Sequence, residues 1–112
     1  MEMDLQIEAP PLRREDSGAL RVGNSRVLLE LVIRTFEHGA TPETIVQQYP
    51  TCTLSEIYGV IAYYLRHRQE VDAYLATRER QADEVRRRIE SQQRDMMELR
   101  QRMMARKKTM AP

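Results

Sequence analysis

The sequence predicts a mainly α-helical protein with a small N-terminal β-hairpin, a three-helix body of the helix-turn-helix type and a long C-terminal helix with a coiled-coil-like stripe. Three observations predict this class. The 112 residues include only four Gly and five Pro, and 31% are charged, which favours helix. Helix start and stop signals follow one another closely between residues 39 and 56. From residue 71 onward, apolar residues recur every three or four positions.

The N-terminal quarter of the chain carries turn signals and no helical pattern. Residues 1–11 are expected to form a flexible terminus. Between residues 12 and 27, turn-forming residues occur at 16–18 and again at 23–24, and apolar and charged residues alternate from Leu20 to Val22. We therefore predict a hairpin of two or three short strands. A hairpin of this size is marginal alone, so it must pack against the helices.

The first predicted helix covers residues 28–38. It is apolar over more of its circumference than a surface helix, which predicts a central position in the core. Gly39 follows it and can end a helix in the left-handed conformation.

Two further helices are predicted around a tight turn. Thr41 is a suitable N-cap and Pro42 a suitable first residue for a helix over residues 42–49, which Pro50 ends. Thr53 or Ser55 begins the next helix, over residues 54–67. Helix, turn and helix form a helix-turn-helix pattern. The predicted common core of these helices consists of Ile33, Phe36, Ile45, Ile57, Val60 and Ile61.

The last predicted helix covers residues 69–106, with a break expected near residues 68–71. Its stripe has alternating spacings of four and three, and eight of its ten positions are apolar. The ten positions are Val71, Leu75, Arg78, Ala82, Val85, Ile89, Gln92, Met96, Leu99 and Met103. Acidic residues four positions before basic ones add support to the helix. Because helices are stabilised mainly by packing of an apolar face, the stripe requires a partner surface, which is another copy, another protein or the domain itself.

Charge is distributed unevenly along the chain. Residues 1–74 contain 7 basic and 11 acidic residues, a net charge of −4, whereas residues 75–112 contain 11 basic and 6 acidic residues, a net charge of +5. The helix-turn-helix thus lies in the acidic part of the chain. This charge is unfavourable for DNA binding, because contacts of basic residues with phosphate supply most non-specific DNA affinity.

No group of residues predicts catalysis, so we expect a protein that is not an enzyme and has no cofactor or small-molecule substrate. His38 and His67 have no metal-binding companions at suitable spacing. Cys52 is the only cysteine, which indicates a reducing cytoplasm. No apolar run reaches the ~20 residues of a membrane-spanning helix, and no signal peptide is expected.

Candidate interaction residues fall into three groups. Phosphate or base contacts to DNA are assigned to Arg13, Arg14, Arg21, Arg26, Thr53 and Ser55. A homodimer interface, with Tyr63 or Tyr64 near the two-fold axis, is assigned to Tyr58, Tyr63 and Tyr64, because the third helix is too apolar to be solvated on all sides. Binding of a partner protein is assigned to Leu75, Val85, Ile89, Met96, Leu99 and Met103.

A family resemblance is carried by two motifs. The first is RVGNSRV at residues 21–27, and the second runs from the GATPETI that begins at Gly39 through YPTCTL to the YY pair at Tyr63 and Tyr64. Together they resemble the domain-of-unknown-function family 433 over about residues 12–75. The sequence departs from the family pattern at Asn24–Ser25 and at residues 51–53.

That family is similar to VapB-type antitoxins, which pair with PIN-like nuclease toxins encoded beside them. The resemblance implies that residues 12–74 form a helix-turn-helix-like antitoxin domain. The sequence patterns described above add a flexible terminus at 1–11 and, at 75–112, a long C-terminal helix for dimerisation or partner binding with a frayed end. The implied function is a dimeric type II antitoxin that neutralises a PIN-like ribonuclease through this helix and autoregulates its operon. The alternative is a stand-alone helix-turn-helix DNA-binding regulator, dimerised by a coiled coil.

Overall fold

The computed structural model describes residues 2–110, with side chains described for residues 2–107. The chain divides into two compact units, residues 1–75 and residues 76–112. The elements are two strands, β1 (Leu12–Arg14) and β2 (Leu20–Val22), and four helices in the described part of the chain. The helices are α1 (Leu29–Glu37), α2 (Pro42–Gln48), α3 (Leu54–Arg66) and α4 (Arg68–Met110). The predicted fold class is confirmed.

The hairpin pairs β1 and β2 antiparallel, with Arg13 opposite Arg21. Its turn contains Gly18 at φ +90°, a conformation that glycine adopts without strain. The hairpin has two strands, and Leu28 adds only an isolated bridge to Arg21. Before the hairpin, residues 3–10 have no regular secondary structure.

The helix boundaries follow the local signals of the sequence. Gly39, at φ +95°, ends α1, and the Thr41 hydroxyl accepts a hydrogen bond from the Thr44 amide at 3.2 Å to begin α2. Of the two predicted caps for α3, the structure selects Thr53. Its hydroxyl accepts from the Glu56 amide at 3.1 Å, while the Glu56 carboxylate accepts from the Thr53 amide at 2.9 Å. This reciprocal pair is a complete capping box.

The core of the first unit lies between α1, α2, α3 and β2. Eleven buried residues form it: Val22, Leu29, Val32, Ile33, Ile45, Cys52, Ile57, Val60, Ile61, Tyr64 and Val71. Five of the six predicted core residues are among them. Phe36 is the exception, because it is only partly buried and packs against the edge of this cluster.

The fourth helix begins in the first unit and continues through the second. His67, at φ −125° and ψ 42°, separates it from α3. The break expected near residues 68–71 is absent, because α4 is continuous from Arg68. Val71 is buried, and Tyr74 and Leu75 pack against the core. The helix continues to Met110, beyond the predicted end at residue 106. The last residues of the predicted frayed end, 111 and 112, lie outside the described part of the chain.

Candidate interaction surfaces

Two of the four hairpin arginines are held by the hairpin itself. Arg13 donates hydrogen bonds to the carbonyls of Gly23, at 2.7 Å, and Ser25, at 3.1 Å. Arg21 forms an ion pair with Glu15 at 2.8 Å and also donates to the carbonyl of Arg26. The Arg21 guanidinium lowers the pKa of the Glu15 carboxyl, mainly through the hydrogen bond between them. Both arginines therefore stabilise the turn after β2.

Arg14 and Arg26 differ from the other two hairpin arginines. Both are exposed, and neither side chain makes a hydrogen bond or an ion pair within the described residues. They are the hairpin arginines best placed to meet an external anion.

An open cleft of ≈ 570 Å³ brings the two sequence motifs together. It is lined by Asn24, Ser25, Arg26, Thr51, Thr53 and Glu56. Two predicted DNA-contact residues, Arg26 and Thr53, thus share one site, while Ser55 is exposed on α3 and does not line it. The other four lining residues were not among the candidates from the sequence, although all four lie within or beside the motifs: Asn24, Ser25, Thr51 and Glu56.

The electrostatics of this cleft are unfavourable for phosphate at the start of α3. A helix N-terminus attracts anions because its first amides lack partners. Here the Glu56 carboxylate already accepts from the Thr53 amide. It also lies so close to Gly23 that a Cβ there would be 1.5 Å from Glu56 Oε2. A phosphate would have to displace this carboxylate or bind beside it.

Ser25 and Cys52 join the two walls of the cleft below its surface. The buried Ser25 hydroxyl donates to the carbonyl of Val22 at 2.6 Å and accepts from the amide of Val27 at 3.1 Å. Its oxygen lies 3.5 Å from the sulfur of Cys52, which is 2% exposed. Cys52 therefore packs in the core instead of serving as an accessible thiol.

An exposed apolar stripe runs along the outer face of α3. Leu54, Tyr58 and Leu65 are 42%, 48% and 53% exposed, and Ala62 lies between the last two. The Tyr58 hydroxyl donates to Glu43 of α2 at 2.5 Å, and this bond raises the pKa of Tyr58 and lowers that of Glu43. We call these four residues the α3 outer face. Of these four residues the sequence-based interface assignment named only Tyr58, because the apolar content of a helix does not show which of its residues face solvent.

The other two predicted dimer tyrosines occupy different environments. Tyr63 is half-buried and stacks on His67 with ring centroids 4.2 Å apart. Tyr64 is 2% exposed, and its hydroxyl donates to Glu37 while Asp72 lies 3.3 Å away. The hydrogen bond to Glu37 raises the pKa of Tyr64. Assigning Tyr64 to an interface needs correction, since its side chain belongs to the core of its own chain.

Tyr74 forms a long-range contact that sequence analysis missed. Its hydroxyl accepts from the Leu20 amide at 2.8 Å and lies 3.1 Å from a carboxylate oxygen of Glu30. It therefore ties the first turns of α4 to both β2 and α1. No local pattern signals this contact, because 54 residues separate Leu20 from Tyr74.

The predicted partner-binding stripe divides at Leu75. Leu75 is partly buried and packs against the core of its own chain, so only part of its side chain is open to a partner. The other five residues are 48% to 66% exposed: Val85, Ile89, Met96, Leu99 and Met103. We call these five residues the distal stripe. The neighbouring Met97 and Met104 are exposed to a similar degree, 62% and 61%.

The described residues form neither a metal site nor a membrane span. No cluster of three His, Cys, Asp or Glu side chains there could hold a metal ion. No helix in that part of the chain is long and apolar enough to cross a membrane.

Comparison with known proteins gives one result. The family described as "Protein of unknown function (DUF433)" matches residues 16–64, a segment from the hairpin to the buried Tyr64. Neither the search of curated proteins nor the search of solved structures found a match. The matched segment contains both motifs that line the cleft. The family predicted from the sequence is thus the one whose model matches residues 16–64 of this chain.

Proposed function

We propose that this protein is a cytoplasmic type II antitoxin that binds and neutralises a PIN-like ribonuclease toxin through the distal stripe of α4. The observation that carries the proposal is this row of apolar side chains, left about half exposed or more on one continuous helix. An apolar row of this kind is typical of a helix that lies in a groove of a partner protein. The antitoxin class itself rests on the family resemblance.

Charge and side-chain chemistry support the same function. Residues 75–112 carry a net charge of +5, from 11 basic and 6 acidic residues. A nuclease of the PIN type holds its metal with carboxylates, so a basic helix is electrostatically complementary to it. The methionines in and beside the stripe can adapt to a partner of irregular shape.

The test is co-purification with the product of the neighbouring gene. Substituting Val85, Ile89 and Leu99 together with Asp should abolish the complex, because three charges would be buried in its interface. The matched control replaces Thr77, Ser91 and Gln101 with Asp, which adds the same charge on other faces of the helix. A complex that survives the stripe substitutions as well as the control would place the interface elsewhere.

A homodimer is the second part of the proposal. Two exposed apolar surfaces can bury against a second copy: the distal stripe and the α3 outer face. Sedimentation equilibrium of the intact 13.2 kDa chain tests this part. A single-chain mass at about ten times a micromolar dissociation constant would contradict it. Comparing Leu65→Asp with the stripe variant tells which surface is used.

A different observation supports DNA binding. This activity would either autoregulate the operon or be the main activity of a stand-alone regulator. Arg14 and Arg26 are exposed, neither side chain makes a hydrogen bond or an ion pair within the described residues, and Arg26 lines the cleft. The net charge of −4 in residues 1–74 and the Glu56 carboxylate at the start of α3 oppose this function. A gel shift with DNA from upstream of the gene tests it. Arg14→Ala with Arg26→Ala should then weaken binding and reduce its salt dependence, by about one unit of slope for each lost phosphate contact.

A further inference from the structure

The distal part of α4 has the layer pattern of a two-stranded coiled coil. Written as a heptad, the a positions are 82, 89, 96 and 103, and the d positions are 78, 85, 92 and 99. The helix is continuous through all of them. We propose that this part of α4 pairs antiparallel with α4 of a second copy, with Ile89 opposite Gln92 of the second copy. The inference rests on the proposed homodimer but not on the proposed toxin.

Side-chain volume favours the antiparallel direction. In that arrangement a positions face d positions, so small side chains lie opposite large ones. Ala82 meets Leu99 of the second copy, and Val85 meets Met96 of the second copy. A parallel, in-register pair would instead place Ala82 against Ala82 and Arg78 against Arg78. It would therefore leave a gap at one layer and two like charges at another.

Charge at the flanking positions favours the same direction. In an antiparallel pair, e positions face e positions and g positions face g positions. Glu79 then faces Arg100 of the second copy, and Arg88 faces Asp95 of the second copy. The remaining e and g pairs each match an arginine with a glutamine, Arg86 with Gln93 and Arg102 with Gln81. Two-fold symmetry doubles each pair, so the interface contains four attractive pairs and no repulsive one.

The same charges select this register. A shift of one heptad in one direction brings Arg86 opposite Arg100, Arg88 opposite Arg102, and Asp95 opposite itself. A shift in the other direction brings Arg86 opposite Arg86 and Arg88 opposite Arg88. Like charges across an interface are unfavourable, and they accumulate in both shifted registers. In the parallel arrangement, Asp95 faces Arg100 but Arg102 faces Lys107.

Side chains that need to reach across are accessible in the single chain. The Arg88 side chain is 71% exposed and contacts Glu84 of its own helix at 2.6 Å. It can contact Asp95 of a second copy as well, because a guanidinium has five N–H donors. The pairing buries the distal stripe of each copy against that of the other. A toxin that binds this stripe would consequently compete with the second copy, which couples dimer dissociation to toxin binding.

A charge exchange that keeps the net charge constant tests the pairing. The variant Glu79→Arg with Arg88→Glu turns all four attractive pairs repulsive in the antiparallel dimer. In a parallel dimer the same positions face Tyr74 and Gln93, so dimerisation would not change. We expect the dimer dissociation constant at low ionic strength to rise at least about tenfold. Adding Asp95→Arg and Arg100→Glu restores the four pairs and should restore the dissociation constant.

Disulfide cross-linking gives an independent measurement. Val85→Cys and Met96→Cys are prepared as separate chains and oxidised alone or mixed. We expect a cross-link only in the mixture, because residue 85 faces residue 96 of the second copy. Cross-links in each chain alone would overturn the proposal in favour of a parallel pair. A dimer whose dissociation constant does not respond to the charge exchange would overturn the pairing but not the homodimer. A monomeric wild-type chain would overturn both.

Discussion

Replacing Gly23 with Ala tests the contact between the hairpin turn and the cap of α3. Gly23 has φ +54°, where an L-residue with a Cβ is strained by ~1–2 kcal/mol. Its Cβ would also lie 1.5 Å from Glu56 Oε2 and 2.6 Å from Glu56 Cδ, so the carboxylate must move. Moving it disrupts one bond of the capping box, a loss of ~0.5–1 kcal/mol. The expected total is a loss of ~1.5–3 kcal/mol of unfolding free energy.

The double variant separates the two causes. In a Glu56→Ala background the steric conflict is absent, so Gly23→Ala should cost only the ~1–2 kcal/mol of backbone strain. Urea unfolding followed by tyrosine fluorescence measures these differences. All five tyrosines lie between residues 49 and 74, so the signal reports the first unit. Equal costs for Gly23→Ala in both backgrounds would refute the reasoning.

Three further predictions concern the same unit and use the same unfolding assay. Ile57→Ala should lower the unfolding free energy by ~2–5 kcal/mol, because Ile57 is 0% exposed. Phe36→Ala should lower it by less, because Phe36 lies at the edge of the core. The reverse order would contradict the core assignment. Tyr74→Phe should lower the unfolding free energy by ~1–2 kcal/mol, because it leaves the Leu20 amide of β2 unpaired. An unchanged midpoint of urea unfolding would show that water replaces the hydroxyl. The third prediction concerns pH. The ion pair with Arg21 holds the pKa of Glu15 below its ordinary value of 4.5. The ion pair therefore stabilises the fold above pH 4.5, and this stabilisation is lost as the pH falls through the lowered pKa. Glu15→Gln should flatten this acid-side decline, and an unchanged decline would argue against the ion pair in solution.

Elements with local signals could be predicted from the sequence. Thr41 marks a helix start through its side-chain hydroxyl, and Pro42 and Gly39 mark helix ends through their backbone conformation. None of these signals depends on distant residues. At Thr53 the sequence left two caps open, because the hydrogen-bond partner of Glu56 decides between them and is visible only in the structure.

Contacts between distant residues could not be predicted in this way. Tyr64 and Tyr63 are adjacent in sequence, yet the packing of α3 buries Tyr64 and leaves Tyr63 half-buried. Apolar content alone suggested an interface for both. Likewise, the contribution of Leu75 to the core depends on how α4 begins, which the break at His67 sets. The candidate cleft required the hairpin and the α2–α3 turn to be placed side by side.

The contact of Tyr74 with β2 has a consequence for folding during synthesis. The hairpin at residues 12–22 leaves the ribosome early, but two strands of three residues are not stable alone. The Tyr74 hydroxyl, which accepts from the Leu20 amide of the hairpin, and the core residue Val71 are synthesised about fifty residues later. At ~5–20 residues per second, the hairpin waits several seconds for them. The N-terminal unit can therefore complete its fold only after residue 75 has emerged, and a nascent chain arrested before that point should remain sensitive to protease.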